Sequence, residues 1–249
     1  MAIGEERARV LGWEGCLNVR DLGGYASCYG GETRWGAVIR ADNLARLTEA
    51  GRRDLLAHGV RTVIDLRMPE EVRLHPNPFA KEGEHGVRYH NISFLDPAVP
   101  KEDFTTLAND YKWMLDTFSA SVAEVMRVIA SAPEGAVLFH CMGGKDRTGL
   151  ISALLLEVAG VDRETIAADY ALTQECLRPE WEAWLESEPD KREERERELA
   201  KYMPTKEVML EVLEYLDERY GGPIEYLRRA GVSEEELERI RARLVPIED

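Results

Sequence analysis

The chain has 249 residues, and its 47 acidic and 32 basic side chains leave a net charge of −15. That length suits one α/β domain with a substantial core, so residues 1–249 read as a single domain. The charge argues against non-specific binding to nucleic acid or anionic membrane, and no run approaches the roughly 18 apolar residues of a membrane span.

Residues 1–10 alternate in charge and lack the apolar core of a signal peptide. Cytoplasmic residence is the default reading, with export by a route that leaves no such peptide kept open. Residues 18–25 are rich in turn formers, and within them Arg20 and Asp21 either pair to pin the segment or act beside a site. A short strand is expected at 38–40. The helix at 48–58 starts at a threonine cap and ends before Gly59. A buried strand at 60–67 carries Asp65 near its C-terminal edge, where open α/β sheets gather their ligands. Pro76 and Pro78 mark a loop, 87–92 reads as another strand, and Asp96-Pro97 closes it. Two apolar stripes follow at helical spacing, Phe104 to Phe118 and Val122 to Ile129, and both read as core.

Residues 137–149 organise the rest. A buried strand leads into a glycine-containing loop that opens at Cys141, and an apolar helix is expected over 148–159. Loop amides turned inward at a helix N-terminus surround a dianion without side-chain entropy loss, so Met142, Gly143, Gly144, Lys145, Asp146 and Arg147 form a candidate phosphate loop. The same donors stabilise a thiolate, the attacking form of Cys141. Arg147 is planar, permanently charged and forked, so it can grip two phosphoryl oxygens. Thr148 can donate to the sulfur, and His140 can brace the loop.

Beyond Gly160 the pattern is helical. Trp181, Trp184 and Leu185 share a face of a helix at 178–188, and 190–201 is almost wholly charged. The segment at about 175–204 is therefore either a solvated connector or a mobile helical lid. A clean amphipathic stripe ends at Gly221, and Ser233 with Glu236 forms a capping box for the last helix. The expected fold is α/β, a central mostly parallel sheet flanked by helices, with a helical C-terminal region. Cys16, Cys28, Cys141 and Cys176 lack the spacing of a metal site or a disulfide framework, and the first two and Cys176 read as small buried residues or, alternatively, a resolving thiol.

The motif His-Cys-x-x-Gly-x-x-Arg-Thr-Gly at 140–149 resembles the signature of the cysteine-dependent protein tyrosine and dual-specificity phosphatases. Its form Gly-Lys-Asp-Arg-Thr-Gly, with Asn18-Val19-Arg20-Asp21-Leu22-Gly23-Gly24 and the 47–67 segment, is similar to the bacterial branch typified by the secreted tyrosine phosphatase of the tubercle bacillus. The resemblance implies hydrolysis of phosphotyrosine, and in some members of phosphoserine, phosphothreonine or phosphoinositides, through a cysteinyl-phosphate and without a cofactor. A phosphorylated protein or a phosphoinositide is then the partner. For the general acid, Asp146 inside the loop is the first candidate and Asp96 the alternative. Lys145 is expected either to pair with Asp65 or to reach a second phosphate. A rhodanese-like sulfurtransferase and a non-catalytic phosphate-binding module are the competing readings.

Overall fold

A computed structural model describes residues 8–81, 84–100 and 104–246. Most of the 1–10 stretch considered for a leader lies outside them. Among the described residues five strands form one sheet: β1 (Arg20–Asp21), β2 (Val38–Ala41), β3 (Val60–Asp65), β4 (Arg88–Asn91) and β5 (Ala136–His140). Their spatial order is β1-β2-β5-β3-β4, and only the β1–β2 pairing is antiparallel. The expected mostly parallel sheet is therefore present.

The last strand in sequence fills the centre, between β2 and β3. All five residues of β5 are buried, which is why it reads as an unbroken apolar run and not as an alternating one. Successive side chains still point to opposite faces. Val137 and Phe139 join the larger core, whereas Ala136 and Leu138 join the smaller one with Trp13, Leu44, Leu55 and Phe79. Truncating Leu138 to alanine would cost about 2–5 kcal/mol at such a site.

Eleven helices cover the sheet among the described residues: α1 (Glu49–Ala57), α2 (Pro69–Leu74), α3 (Leu107–Thr117), α4 (Ser119–Ser131), α5 (Asp146–Val158), α6 (Arg163–Ala171), α7 (Thr173–Glu186), α8 (Arg192–Lys201), α9 (Lys206–Tyr220), α10 (Pro223–Arg229) and α11 (Glu234–Leu244). Thr48 caps α1 by accepting from the Gly51 amide, and Ser233 with Glu236 makes the capping box of α11, both as the sequence suggests. Helix α5 is buried almost all round, so it packs as a central rod and not as a one-sided cover. It begins at Asp146, two residues before the expected start. Asp146 in the first turn suits the positive end of the helix dipole, and the Gly149 amide already donates to the Lys145 carbonyl at 2.9 Å. Helix α7 likewise begins earlier than expected, at Thr173, and runs through Pro179. Helix α8 buries none of its residues. No helix among the described residues is long and apolar enough to cross a membrane.

Candidate active site

The loop from Cys141 to Asp146 leaves the C-terminal end of the central strand, in the crevice where parallel sheets bind ligands. Its peptide planes are oriented from behind. The Cys141 carbonyl accepts from His140 Nδ1 at 3.0 Å, and the Met142 carbonyl accepts from the Asn43 amide at 2.9 Å. The Gly143 carbonyl accepts from Asn18 Nδ2 at 2.9 Å, and the Gly144 carbonyl accepts from Arg40 Nη2 at 2.8 Å as well as from Asn18 Nδ2 at 3.1 Å. A trans peptide places its N–H opposite its C=O. Four carbonyls drawn outward therefore turn the amides of Met142, Gly143, Gly144 and Lys145 toward the loop's interior. The result is an anion nest opening onto the N-terminus of α5.

Glycine is required at one corner. Gly144 adopts φ +64°, and a Cβ there would sit 2.6 Å from the Ala41 carbonyl at the end of β2.

Behind the nest lies a buried charge network that the sequence did not disclose. Asp169 of α6 lies 2.5 Å from Arg40 Nη1 and 3.4 Å from Arg20 Nε, and it accepts from the Tyr25 hydroxyl at 2.9 Å. Burial pushes the Asp169 carboxyl up, but the two guanidiniums outweigh it and bring it down to about 2. Arg20 also donates to Asn18 Oδ1, to Thr173 and to the Cys176 sulfur. The suggested Arg20–Asp21 pair is not formed. Asp21 instead accepts from the Gly23 and Gly36 amides at 2.8 Å, while Arg20 points toward the loop supports.

His140 is fully buried, and its tautomer follows from its neighbours. Asn77 Oδ1 accepts from the Phe79 amide, so the Asn77 nitrogen faces His140 Nε2, at 2.9 Å. Nε2 is therefore the acceptor, and the proton on Nδ1 goes to the Cys141 carbonyl. Asp65 is also fully buried, where it holds Arg67 through two oxygens at 2.8 and 2.6 Å, accepts from Tyr89 at 2.9 Å and lies 3.4 Å from His140. Burial would raise its pKa, yet the Arg67 hydrogen bonds and charge hold it well below the usual carboxylate range. Asp65 is a brace beneath the loop.

Lys145 does not pair with Asp65, contrary to one of the two expectations for it. Its ammonium donates to the Tyr202 carbonyl at 2.9 Å and lies 3.6 Å from Asp146 Oδ1, because the helix start turns it outward to the end of α8 and away from the β3 edge. Thr148 is also placed differently from expectation. Its hydroxyl is buried and makes no hydrogen bond, so the bond to the Cys141 sulfur is not made in this structure.

Cys141 and Arg147 are both buried at the base of the site. Arg147 is gripped by Glu71 of α2, Nη1 to Oε2 at 2.6 Å and Nη2 to Oε1 at 2.9 Å, while Nη1 also reaches the Leu66 carbonyl at 3.5 Å. A guanidinium has five N–H bonds. The end-on pair goes to Glu71 and the outer Nη1–H to Leu66, which leaves Nε–H and one Nη2–H side by side for two oxygens of an anion. Burial acts to raise the Glu71 pKa, but the Arg147 hydrogen bonds and charge hold it below its ordinary value. Glu71 was missed in the sequence. The available signal was local only: it sits in the first turn after Pro69 and accepts the Met68 amide at 2.7 Å, which marks a helix start and says nothing of Arg147.

Asp146 opens α5, and its Oδ1 accepts from the Tyr111 hydroxyl at 2.7 Å, which meets the Tyr170 hydroxyl at 2.7 Å. Burial, then Asp146, pushes Tyr111 well above its ordinary pKa, so it remains a donor. Asp96 is exposed and caps its own turn, accepting from the Ala98 amide at 2.9 Å. Of the other cysteines, Cys16 is buried and its thiol is pushed up by burial and then by Asp42, which makes it inert. Cys28 is exposed, contrary to the buried reading.

A model described as the tyrosine phosphatase family matches residues 11–246. A tyrosine-protein phosphatase of Nostoc commune is 32% identical over 84% of this chain and 74% of its own. The triple specificity protein phosphatase PtpB of Mycobacterium tuberculosis is 28% identical over 93% of this chain and 97% of its own. Neither relative is a sulfurtransferase. Because the matched span takes in the strand, the loop and every support described above, this chain belongs to the tyrosine phosphatase family, whose members are enzymes that hydrolyse phosphotyrosine.

Proposed function

We propose that the whole chain acts as one phosphatase unit in which Cys141 is the nucleophile. The observation that supports this most strongly is the outward anchoring of four consecutive loop carbonyls, which leaves a preformed cradle of amides above the thiol. The thiolate attacks phosphorus in line and the bond from phosphorus to the leaving oxygen breaks. The free Nε and Nη2 edge of Arg147 holds two equatorial oxygens throughout.

The leaving oxygen takes a proton from Asp146. Tyr111 and Lys145 both lie against Oδ1, which leaves Oδ2 to carry the proton. Water then attacks the cysteinyl-phosphate, gives its proton to the Asp146 carboxylate and releases inorganic phosphate and the thiolate. Phosphotyrosine is the first substrate class. Phosphoserine, phosphothreonine and phosphoinositides are further candidates, beside a mycobacterial relative named as a triple specificity phosphatase. Residues 175–204 serve as a lid over the cleft, consistent with a hairpin of α7 and α8 that buries little.

The test is phosphate release from p-nitrophenyl phosphate and a phosphotyrosine peptide, beside a thiosulfate-to-cyanide transfer assay. Phosphate release that vanishes in Cys141→Ser, with no sulfur transfer, is the expected result. Sulfur transfer without phosphate release would overturn the proposal.

A further inference from the structure

The cleft beside the loop is larger than a phosphate. A cavity of about 310 Å³ lies against Met142 and Gly143, and its remaining walls are Asn43, Arg46, His75 and Glu180. Arg46 ends a 3-10 turn over Leu44–Arg46, and its side chain is half exposed. Two carboxylates flank it, Glu180 at 3.1 Å and Asp42 at 3.8 Å. They are not equivalent. Asp42 is buried and accepts the Leu17 and Asn18 amides, so it belongs to the frame of the loop. Glu180 is exposed on α7, one turn after Leu177, the nearest side chain above Gly143. A carboxylate carried by the covering helix thus sits on a guanidinium at the mouth of the anion nest.

We propose that Arg46 forms a second anion subsite, which binds a carboxylate or second phosphoryl group close to the phosphorylated residue of a peptide, and that Glu180 occupies this subsite until such a group displaces it. This rests on the phosphatase reading of the same cleft. The exchange is chemically even, one oxyanion for another at the same fork. It is also cheap. An ion pair between two exposed side chains is weak, so Glu180 yields readily. A substrate anion has the advantage that the loop already holds its phosphate nearby, which raises its effective concentration at Arg46. Lys145, the other cation of the loop, is directed to Tyr202 and Asp146 and leaves this role to Arg46.

The experiment compares three phosphotyrosine peptides that differ only beside the phosphotyrosine: alanines, glutamates, or a phosphoserine. For each, kcat/KM is measured in the wild type, Arg46→Gln and Glu180→Gln, and binding is measured by fluorescence polarisation on a Cys141→Ser background. The wild type should prefer an anionic flank, and Arg46→Gln should reduce that preference about fivefold. Glu180→Gln should raise kcat/KM for the anionic peptides more than for the neutral one. A preference confined to the glutamate arm identifies a carboxylate as the occupant, and one confined to the phosphoserine arm a second phosphate. Equal changes across all three peptides in Arg46→Gln would overturn the subsite. If no peptide is turned over yet the Cys141→Ser binding ratio still depends on Arg46, the phosphatase reading fails and the subsite stands.

Discussion

Glu71 and Arg147, 76 residues apart in the chain, meet in a two-bond ion pair at 2.6 and 2.9 Å. Glu71 fixes the plane of the guanidinium, and the opposite edge is thereby presented to the nest. Hydrogen bonds to charged groups contribute about 1.5–3 kcal/mol, so Glu71→Gln should lower kcat/KM roughly ten- to a hundredfold. Steady-state kinetics on p-nitrophenyl phosphate checks this, and a variant within twofold of wild type would remove Glu71 from the positioning of Arg147.

Arg147→Lys retains the charge and loses the fork. Loss of a preorganised donor to a transition state costs about 10²–10³ in kcat, and we expect at least that fall. Vanadate inhibition should weaken in parallel. Full activity with lysine would mean that charge alone is sufficient.

The general acid is distinguished by leaving group. Asp146→Asn should slow phenyl or alkyl phosphates far more than nitrophenyl phosphate, because only poor leaving groups need the proton. Asp96→Asn should leave that dependence unchanged. The opposite pattern assigns the acid to Asp96, which would then have to leave its own turn.

Asp169 predicts an acid limb of stability. Its folded pKa of about 2 lies below the ordinary 3.8, so its ionised form stabilises the fold above pH 4 and that contribution is lost as pH falls from about 3.8 to 2. The loss is on the order of 2 kcal/mol from this residue. Asp169→Asn should flatten that part of the curve. At neutral pH it should cost about 3–5 kcal/mol, since Arg20 and Arg40 would keep buried charges without their counterion. Urea unfolding at pH 7 and pH 3 measures both effects, and an unchanged midpoint at pH 7 would refute the network.

Hydrogen exchange should separate the two ends of the site. Amides of α8, which buries no residue, should exchange quickly, whereas those of α5 should be protected close to the global limit. Equal protection in both would contradict a moving lid.

The sequence by itself determined the parts whose signals are local. The run Val137 to His140 followed by Cys141, two glycines and Arg147 encodes strand, nest and helix in adjacent residues, so period, turn chemistry and motif all point to one reading. The caps at Thr48 and Ser233 were legible for the same reason. What the tertiary structure alone decided is which distant groups hold that nest. Asn18, Arg40 and Asn43 grip its carbonyls from β2 and the segments beside it, Asp169 reaches back from α6, and Glu71 comes from the first turn of a six-residue helix. A polar side chain carries no periodicity that names its partner across the sheet. Lys145 shows the limit best: charge alone suited Asp65, but the direction of the chain entering α5 sent its ammonium to the Tyr202 carbonyl.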